Sequence, residues 1–354
     1  GAMAGYAVKV GSDFEAGMSE VAAISGATGD ELDALTAKAK EMGASTKFSA
    51  TESAEALKYM AMAGWDTQSM LDGLPGIMNL AAASGEELGA VSDIVTDALT
   101  AFGLSASDAG HFADVLAKAS SSSNTNVSMM GATFKYAAPL AGALGYSIED
   151  CAQAIGLMAN AGIKGEQAGT SFRAMLTRLA SPTDDVAAAM SQLGISLTDA
   201  QGNMLPLSDV LGQLREGFAG LDEQQKAAMA STIAGQEAMS GLLAIVNAAP
   251  EDYEALAASI ADADGAAQSM ADTMQDNLQG QITILKSAVE GLGIEFYESI
   301  QEPLKDVVKT GIGYIEELSS AFKEGGLDGL VESLGSVFAD AAARIVKSAP
   351  KLVS

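Results

Sequence analysis

The chain of 354 residues has few of the residue types on which catalytic and metal sites are commonly built. Its one cysteine, Cys151, excludes an internal disulfide and a cysteine-based metal site. Its one histidine, His111, cannot supply two zinc ligands. Aromatic residues make up only 5%, whereas a β-rich protein would carry more aromatic and β-branched side chains. The apolar residues are mainly Ala, Leu, Ile, Val and Met, which suit helices, so we expect an all-α protein.

Basic residues are also scarce. The chain has 19 Lys and Arg against 46 Asp and Glu, a net charge of -27, which disfavours binding to nucleic acid and to anionic membranes. The charge offsets a positive mean hydropathy of +0.20 and favours solubility. We find no signal peptide and no apolar run long enough to span a bilayer. Residues 1–3 resemble a cloning scar, and we expect the chain to be a piece of a longer protein.

Short breaks with a recurring pattern separate the helical stretches. A glycine, an apolar residue and a serine follow one another, as in Gly103-Leu104-Ser105. The glycine can adopt the left-handed conformation past a helix end, and the serine can cap the next helix. We therefore predict that Ser49, Ser105 and Ser147 are helix caps, since each precedes an acid at capping-box spacing.

The three capped starts also align as an internal repeat without gaps. Each unit has an aromatic residue or Leu before the serine, an acid in the first turn and a Leu-Ala or Met-Ala pair before the exit. The aligned stretches are Phe48–Gly64, Leu104–Ser120 and Tyr146–Gly162. Their uneven spacing favours an irregular multi-helix domain of short capped helices over a regular solenoid.

Two regions depart from the pattern of short helices. Residues 195–205 form two alternating runs around Gly202, which predicts one small β-hairpin. After residue 250 the runs become longer and amphipathic, with breaks predicted at Pro303 and at Gly325-Gly326. Such helices need a partner to bury their apolar stripe. The predicted organisation is an N-terminal helical lead-in at 4–47, a core helical domain at 48–250 and an amphipathic helical tail segment at 251–354.

Three stretches resemble the core region of phage tail tape measure proteins and occur in that family's order. Residues 48–65 are similar to an earlier family motif, and residues 233–243 to a later one, although Ala234-Gly235 stands where Phe-Gly would be expected. Residues 161–182 resemble the family's most specific signature. The signature positions in this chain are Gly162, Gly165, Gly169, Thr170, Arg173 and Pro182.

The resemblance implies a structural component of the phage tail that takes part in tail assembly, sets tail length and is released during DNA ejection. It implies homo-oligomers and contacts with tail tube, baseplate and tail assembly chaperone proteins. It places the protein inside the tail of the virion, and in the host cytoplasm during assembly. It implies no enzyme activity and no cofactor, and it gives the signature residues a role in packing at a helix junction.

Chemical interpretations of the same residues are weaker. The glycines before Thr170 resemble a phosphate loop, but such a loop needs a lysine between its last glycine and the hydroxyl, and Gly169 adjoins Thr170. Arg173 and Arg178 are expected to pair with carboxylates in so acidic a chain. A catalytic His111 would need a nucleophile and an orienting acid beside it.

Two further functions stay open at this point. Neighbouring acids such as Asp184-Asp185 point in different directions on a helix, so a hydrolase site would need acids that are distant in the sequence. The alternative function is a membrane-active helical protein that assists DNA passage through the host envelope, with membrane contact only during ejection. The glycine-rich, apolar and helical sequence favours this alternative, whereas the lack of an 18-residue apolar segment opposes it.

Overall fold

The computed structural model describes residues 2–348, with side chains described from Gly5 to Asp340 apart from positions 307 and 338. These residues form sixteen α-helices and one short 3-10 turn at Ala106–Asp108. The first eight helices are α1 Ala2–Ser25, α2 Asp30–Ser45, α3 Ala50–Met62, α4 Thr67–Ser84, α5 Leu88–Phe102, α6 Ala109–Ser122, α7 Val127–Ala143 and α8 Ile148–Asn160. The others are α9 Gly165–Ala180, α10 Asp184–Gln192, α11 Leu207–Ala219, α12 Glu223–Ala234, α13 Met239–Val246, α14 Pro250–Ala261, α15 Ala266–Gln275 and α16 Leu278–Ser348.

The all-α prediction is confirmed, but the predicted β-hairpin at 195–205 is wrong. This segment contains a single antiparallel bridge, between Thr198 and Met204, and no strand. The Asp199 carboxylate accepts hydrogen bonds from the amides of Gln201 and Asn203, each at 2.9 Å. Together with backbone hydrogen bonds from the Asp199 amide to Asn203 (2.9 Å) and from the Leu205 amide to Leu197 (2.8 Å), these contacts close a tight polar loop around Gly202 (φ 85°), and the pairing does not extend into strands.

The described residues divide into two compact units, each considered by itself. The larger unit is Ala16–Ala288, and α8 lies at its centre. Every residue of α8 from Cys151 to Ala159 is buried, and the helix packs against α6, α9, α13 and α14. A helix that is buried on all sides needs neighbours around its whole circumference. The irregular arrangement of short helices supplies these neighbours.

Small residues and aromatic side chains fill the space between the helices of the larger unit. The Phe134 ring lies edge-on to Phe102, with 5.7 Å between centroids, and 5.8 Å from Phe112. Glycines allow backbones to approach closely: a Cβ on Gly76 in α4 would lie 2.7 Å from the Cα of Gly110 in α6. Such close contacts leave no space for larger side chains, so the packing depends on glycine at these positions.

The three serines predicted as caps each precede a helical segment. Ser49 Oγ accepts the Glu52 amide (3.1 Å), and the Glu52 carboxylate accepts the Ser49 amide (2.7 Å). The Asp108 carboxylate accepts both the amide and the hydroxyl of Ser105, at 2.8 and 2.7 Å. Ser147 Oγ accepts the amide of Asp150 (3.1 Å). These bonds satisfy amides that have no partner within their own helix.

The smaller unit consists of the described residues of Gly1–Glu15 and Val289–Ser354. The prediction of a break at Pro303 is wrong, because α16 continues through this residue. Tyr297 and Lys305, on either side of Pro303, both donate hydrogen bonds to the Glu15 carboxylate. This shared partner fixes the helix before and after the proline.

The break predicted at Gly325-Gly326 is present. Gly326 has φ 61° and ψ -144°, which is not helical. Across it, Tyr314 donates to Asp340 (2.6 Å) and Ser336 donates to Glu317 (3.2 Å). Partners so far apart in sequence meet because the two arms of the helix run antiparallel. We call residues 289–348 the terminal hairpin.

Candidate functional site

The signature stretch at 161–182 forms the turn between α8 and α9 and the whole of α9. The amides of Gly162 and Ile163 donate to the carbonyls of Ala159 (2.9 Å) and Met158 (3.0 Å). Gly162 has φ 88°, and Ile163 is buried against the core. This geometry is a glycine helix end followed by an apolar residue that packs back. Gly165 (φ 59°) is the first residue of α9, so the two glycines set the angle between the helices.

Gly169 brings α9 into close contact with α7. A Cβ at this position would lie 2.8 Å from the Thr133 carbonyl oxygen and 2.9 Å from the Cβ of Tyr136. Thr133 Oγ1 also donates to the Gly165 carbonyl at 2.9 Å. The signature glycine therefore stands where the backbones of two helices nearly touch.

The later family-like stretch, at 233–243, packs against the same helix. The Arg178 guanidinium of α9 donates to the Thr232 carbonyl at 3.5 Å. A Cβ on Gly241 would lie 3.2 Å from the Cβ of Ser171. Gly235 has φ 88°, and a Cβ there would lie 2.9 Å from Arg178 Nε, so glycine at 235 suits both the backbone and the neighbouring arginine. The earlier stretch, at 48–65, forms α3 and packs against α2 and α5.

A surface cavity of about 430 Å³ lies along the outer face of α9. We call it the arginine pocket, and its residues include Tyr136, Thr170, Arg173, Thr177, Arg178 and Glu237. The prediction that its two arginines pair with carboxylates is wrong, because neither forms an ion pair with a described residue. The reason is their surroundings, since the pocket presents mainly hydroxyl groups and a single carboxylate. Pro182 lies outside it, exposed in the loop before α10.

His111 lies on α6, half-exposed, with carboxylates on two sides. Its Nε2 is 2.5 Å from Glu149 Oε1 of α8, and its Nδ1 is 3.4 Å from the exposed Asp264. The hydrogen bond to Glu149 raises the pKa of His111 above its ordinary value of 6.5, and partial burial opposes that rise. Burial alone would raise the pKa of Glu149, but its bonds from His111 and the backbone lower it. These contacts connect α6 with α8 and with Asp264, which lies just before α15. They stabilise the protonated form of His111.

The remaining candidates are the cysteine, metal-binding clusters and membrane-spanning helices. Cys151 is fully buried in α8, and burial raises the pKa of its thiol, which favours the inert thiol form. No group of three or more His, Cys, Asp or Glu among the described residues could hold a metal ion. Within residues 2–348, no helix combines the length and the apolar character that a membrane span requires.

Two important carboxylate contacts could not be predicted from the sequence. The Asp150 carboxylate accepts the amide of Ser208 at 3.0 Å and so caps α11. The Asp114 carboxylate accepts the amides of Gly265 and Ala267, at 2.8 and 2.9 Å, at the start of α15. Both acids act on helices that are far away in sequence. Local spacing, the signal used for capping boxes, carries no information about such partners.

Comparison with known proteins identifies the family. The phage-related minor tail protein family matches residues 36–235. The chain is 41% identical over 319 residues to the tape measure protein of Pneumococcus phage Dp-1, an alignment that covers 90% of this chain and 27% of that protein. It is 31% identical over 324 residues to the probable tape measure protein of Escherichia phage P2, which covers 90% of this chain and 40% of that protein.

A third relative extends the same similarity. The chain is 26% identical over 358 residues to the probable tape measure protein of Clostridium phage phiCD119, covering 98% of this chain and 37% of that protein. The chain thus spans between 27% and 40% of the length of these curated relatives. No solved structure matches it. The predicted resemblance to tape measure proteins is confirmed. Since the family match covers more than half of its residues, the chain belongs to the phage-related minor tail protein family.

Proposed function

We propose that this chain is the core segment of a tape measure that takes part in tail assembly, helps to set tail length and leaves the tail when DNA is ejected. The similarity to tape measure proteins over 90% of the chain carries this proposal. The contact between the signature helix α9 and the later family-like stretch supports it, because it gives the family-specific residues a shared place in the fold.

The two kinds of structure in the chain support a division of labour. The core at 48–250 consists of short buried helices, a compact arrangement that is suited to folding and docking. The segment at 251–354 includes α16, whose described length can contribute to a ruler. As extended helix, the 60 residues of the terminal hairpin would span about 90 Å at 1.5 Å per residue. Folded back at Gly326, the longer arm of 37 residues would span about 55 Å.

The proposed partners are further copies of this protein and the tail tube, baseplate and tail assembly chaperone proteins. Large apolar side chains are exposed on the terminal hairpin. An amphipathic helix needs another surface to bury its apolar face, so this exposure supports the presence of a partner. The exposed side chains include Leu292, Phe296, Ile315, Leu327 and Val331. The proposed sites of action are the host cytoplasm during assembly and the interior of the finished tail.

Tail length measured by electron microscopy tests the ruler. Residues 289–348 are deleted from the parent protein in its phage, and in a matched variant the same residues are duplicated. We expect the deletion to shorten tails by about 90 Å if the segment is extended, or by about 55 Å if it acts as a hairpin. The duplication should lengthen tails by a similar amount.

Two outcomes would contradict the proposal. Tails of normal length in both variants would place the segment outside the ruler. A deletion that prevents tails from forming, together with a duplication that leaves their length unchanged, would indicate an assembly role without length control.

A further inference from the structure

The arginine pocket combines a suitable volume with unused hydrogen-bond donors. Its volume of about 430 Å³ falls within the range of about 300–1,000 Å³ that is usual for ligand pockets. One face of α9 supplies Thr170, Arg173, Thr177 and Arg178, at helical spacing. Tyr136 of α7 and Glu237, from the turn before α13, complete the lining. All of these residues belong to the larger unit.

Several other cations of the larger unit have a close partner. Lys58 pairs with Glu20 at 2.9 Å, and Lys226 pairs with Glu223 at 3.3 Å. Arg215 donates to the Ile245 carbonyl at 2.7 Å, and its guanidinium lies 4.3 Å from the centre of the Tyr253 ring. Arg178 makes one long bond of 3.5 Å to Thr232, and Arg173 is exposed. Neither has a carboxylate partner among the described residues, in a chain with 46 acids.

The chemistry of the lining favours carboxylate ligands. Each guanidinium presents a planar fork of N–H donors that matches the two oxygens of a carboxylate. The Thr170 hydroxyl also lines the pocket and can donate a further hydrogen bond, whereas the Thr177 hydroxyl already donates to the Arg173 carbonyl at 2.8 Å. The net charge of -27 repels long polyanions such as nucleic acid, so a ligand must approach through short-range contacts.

We propose that the arginine pocket binds a segment of a partner protein that presents two neighbouring carboxylates. Charge complementarity carries the assignment: two unpaired guanidiniums can take two carboxylates, and the single acid of the pocket, Glu237, leaves this local positive charge in excess. The site lies on the family-signature helix, although the proposal does not depend on the control of tail length.

Arginine-selective NMR tests the proposal on the full chain. The sequence has four arginines, so 15N-arginine labelling gives four side-chain Nε signals. The probe is acetyl-Glu-Glu-amide, and the matched control is acetyl-Gln-Gln-amide. We expect the signals of Arg173 and Arg178 to shift and to saturate with the glutamate peptide alone. Arg215 should stay unchanged, because its donors already have a partner.

A substitution separates the pocket from general effects of charge. Arg173→Gln removes one fork at an exposed position, so the fold should persist. The loss of one charge-assisted interaction should weaken binding of the glutamate peptide roughly tenfold. Arg173→Lys, which keeps the charge but loses the planar fork, should bind at an intermediate level.

Three results would overturn the proposal. The Arg173 and Arg178 signals could stay unchanged at the highest peptide concentration, or respond equally to both peptides. Saturation by inorganic phosphate without saturation by the glutamate peptide would define a simple anion site. Shifts that appear on raising the protein concentration alone would mean that a second copy of the chain supplies the carboxylates.

Discussion

The larger unit and the terminal hairpin use the same apolar residue types in different ways. In the larger unit Phe134 is 1% exposed and lies edge-on to a second phenylalanine. In the terminal hairpin Phe322 is 51% exposed, and Leu327 is 72% exposed. The larger unit buries most of its large apolar residues within itself, whereas the terminal hairpin leaves many of them exposed. Composition alone does not distinguish the two regions, but burial does.

Glycine shows the same contrast. In the larger unit Gly169 permits a close approach of two helices, and any side chain there would meet the backbone of α7. In the terminal hairpin Gly326 has open space around it and is required for its positive φ of 61°. Close packing makes a region sensitive to substitution, whereas a turn requires only one favourable backbone conformation.

Replacement of equivalent phenylalanines should give the largest difference between the regions. Phe134→Ala leaves a cavity and removes two aromatic contacts, so it should lower the free energy of unfolding of the larger unit by about 3–5 kcal/mol. Phe322→Ala should change the free energy of unfolding of the terminal hairpin by less than about 0.5 kcal/mol, as surface substitutions usually do. Urea unfolding followed by the fluorescence of Trp65, the one tryptophan of the chain, reports on the larger unit, and far-ultraviolet circular dichroism reports on the helices of both units.

If Phe134→Ala and Phe322→Ala lowered the free energy of unfolding equally, the difference in burial between the two regions would not hold in solution. That result would mean that Phe322 is buried against a partner in solution, for example in a homo-oligomer. Repeating the measurement at lower protein concentration separates this case, because a contribution from association decreases on dilution.

Substitution of two helical glycines should give effects of opposite sign. Gly169→Ala places a Cβ 2.8 Å from the Thr133 carbonyl oxygen, and the resulting displacement of α7 and α9 should cost about 1–3 kcal/mol. Gly212→Ala in α11 meets no atom within 4 Å and should stabilise the helix by about 0.5–1 kcal/mol. The same unfolding assay measures both.

The sign of the change in unfolding free energy for Gly169→Ala is the critical result. A stabilising Gly169→Ala would show that α9 can move away from α7 without loss. The signature glycine would then have no packing role, and a contact with another tail protein would be the remaining explanation for its presence.

The sequence predicted the features that depend on neighbouring residues. Serine and acid spacing identified the starts of α3 and α8, and Gly325-Gly326 identified the turn of the terminal hairpin. The all-α class followed from the scarcity of aromatic residues. The hairpin at 195–205 was wrong because alternation in a short run says nothing about whether a side chain such as Asp199 will satisfy the turn amides.

Features that depend on distant residues could not be predicted. The sequence gives no sign that α9 packs on both α7 and the stretch at 233–243, or that Asp114 caps α15 across 151 residues. Likewise, an excess of acids suggested that Arg173 and Arg178 would be paired. Pairing depends on where carboxylates lie in three dimensions, and the outer face of α9 holds few of them.

The smallest expected effect concerns His111 at the surface of the larger unit. Its folded-state pKa is raised above 6.5, so its contribution to stability is complete below pH 6.5 and is lost as the pH rises through the folded-state value. Because the side chain is 45% exposed, we expect this contribution to be about 1 kcal/mol or less. The unfolding free energies of the chain and of His111→Gln should therefore differ more at pH 5.5 than at pH 8.5.

The NMR titration of His111 gives an independent check, because the one histidine of the chain yields a single set of ring signals. A midpoint above 6.5 that falls in Glu149→Gln would assign the effect to the ion pair with α8. Asp264→Asn should lower the midpoint less, since its carboxylate is 3.4 Å from the ring and 95% exposed. A midpoint below 6.5 would mean that burial outweighs both carboxylates, and the stability difference would then reverse, with His111 favouring the folded state at high pH.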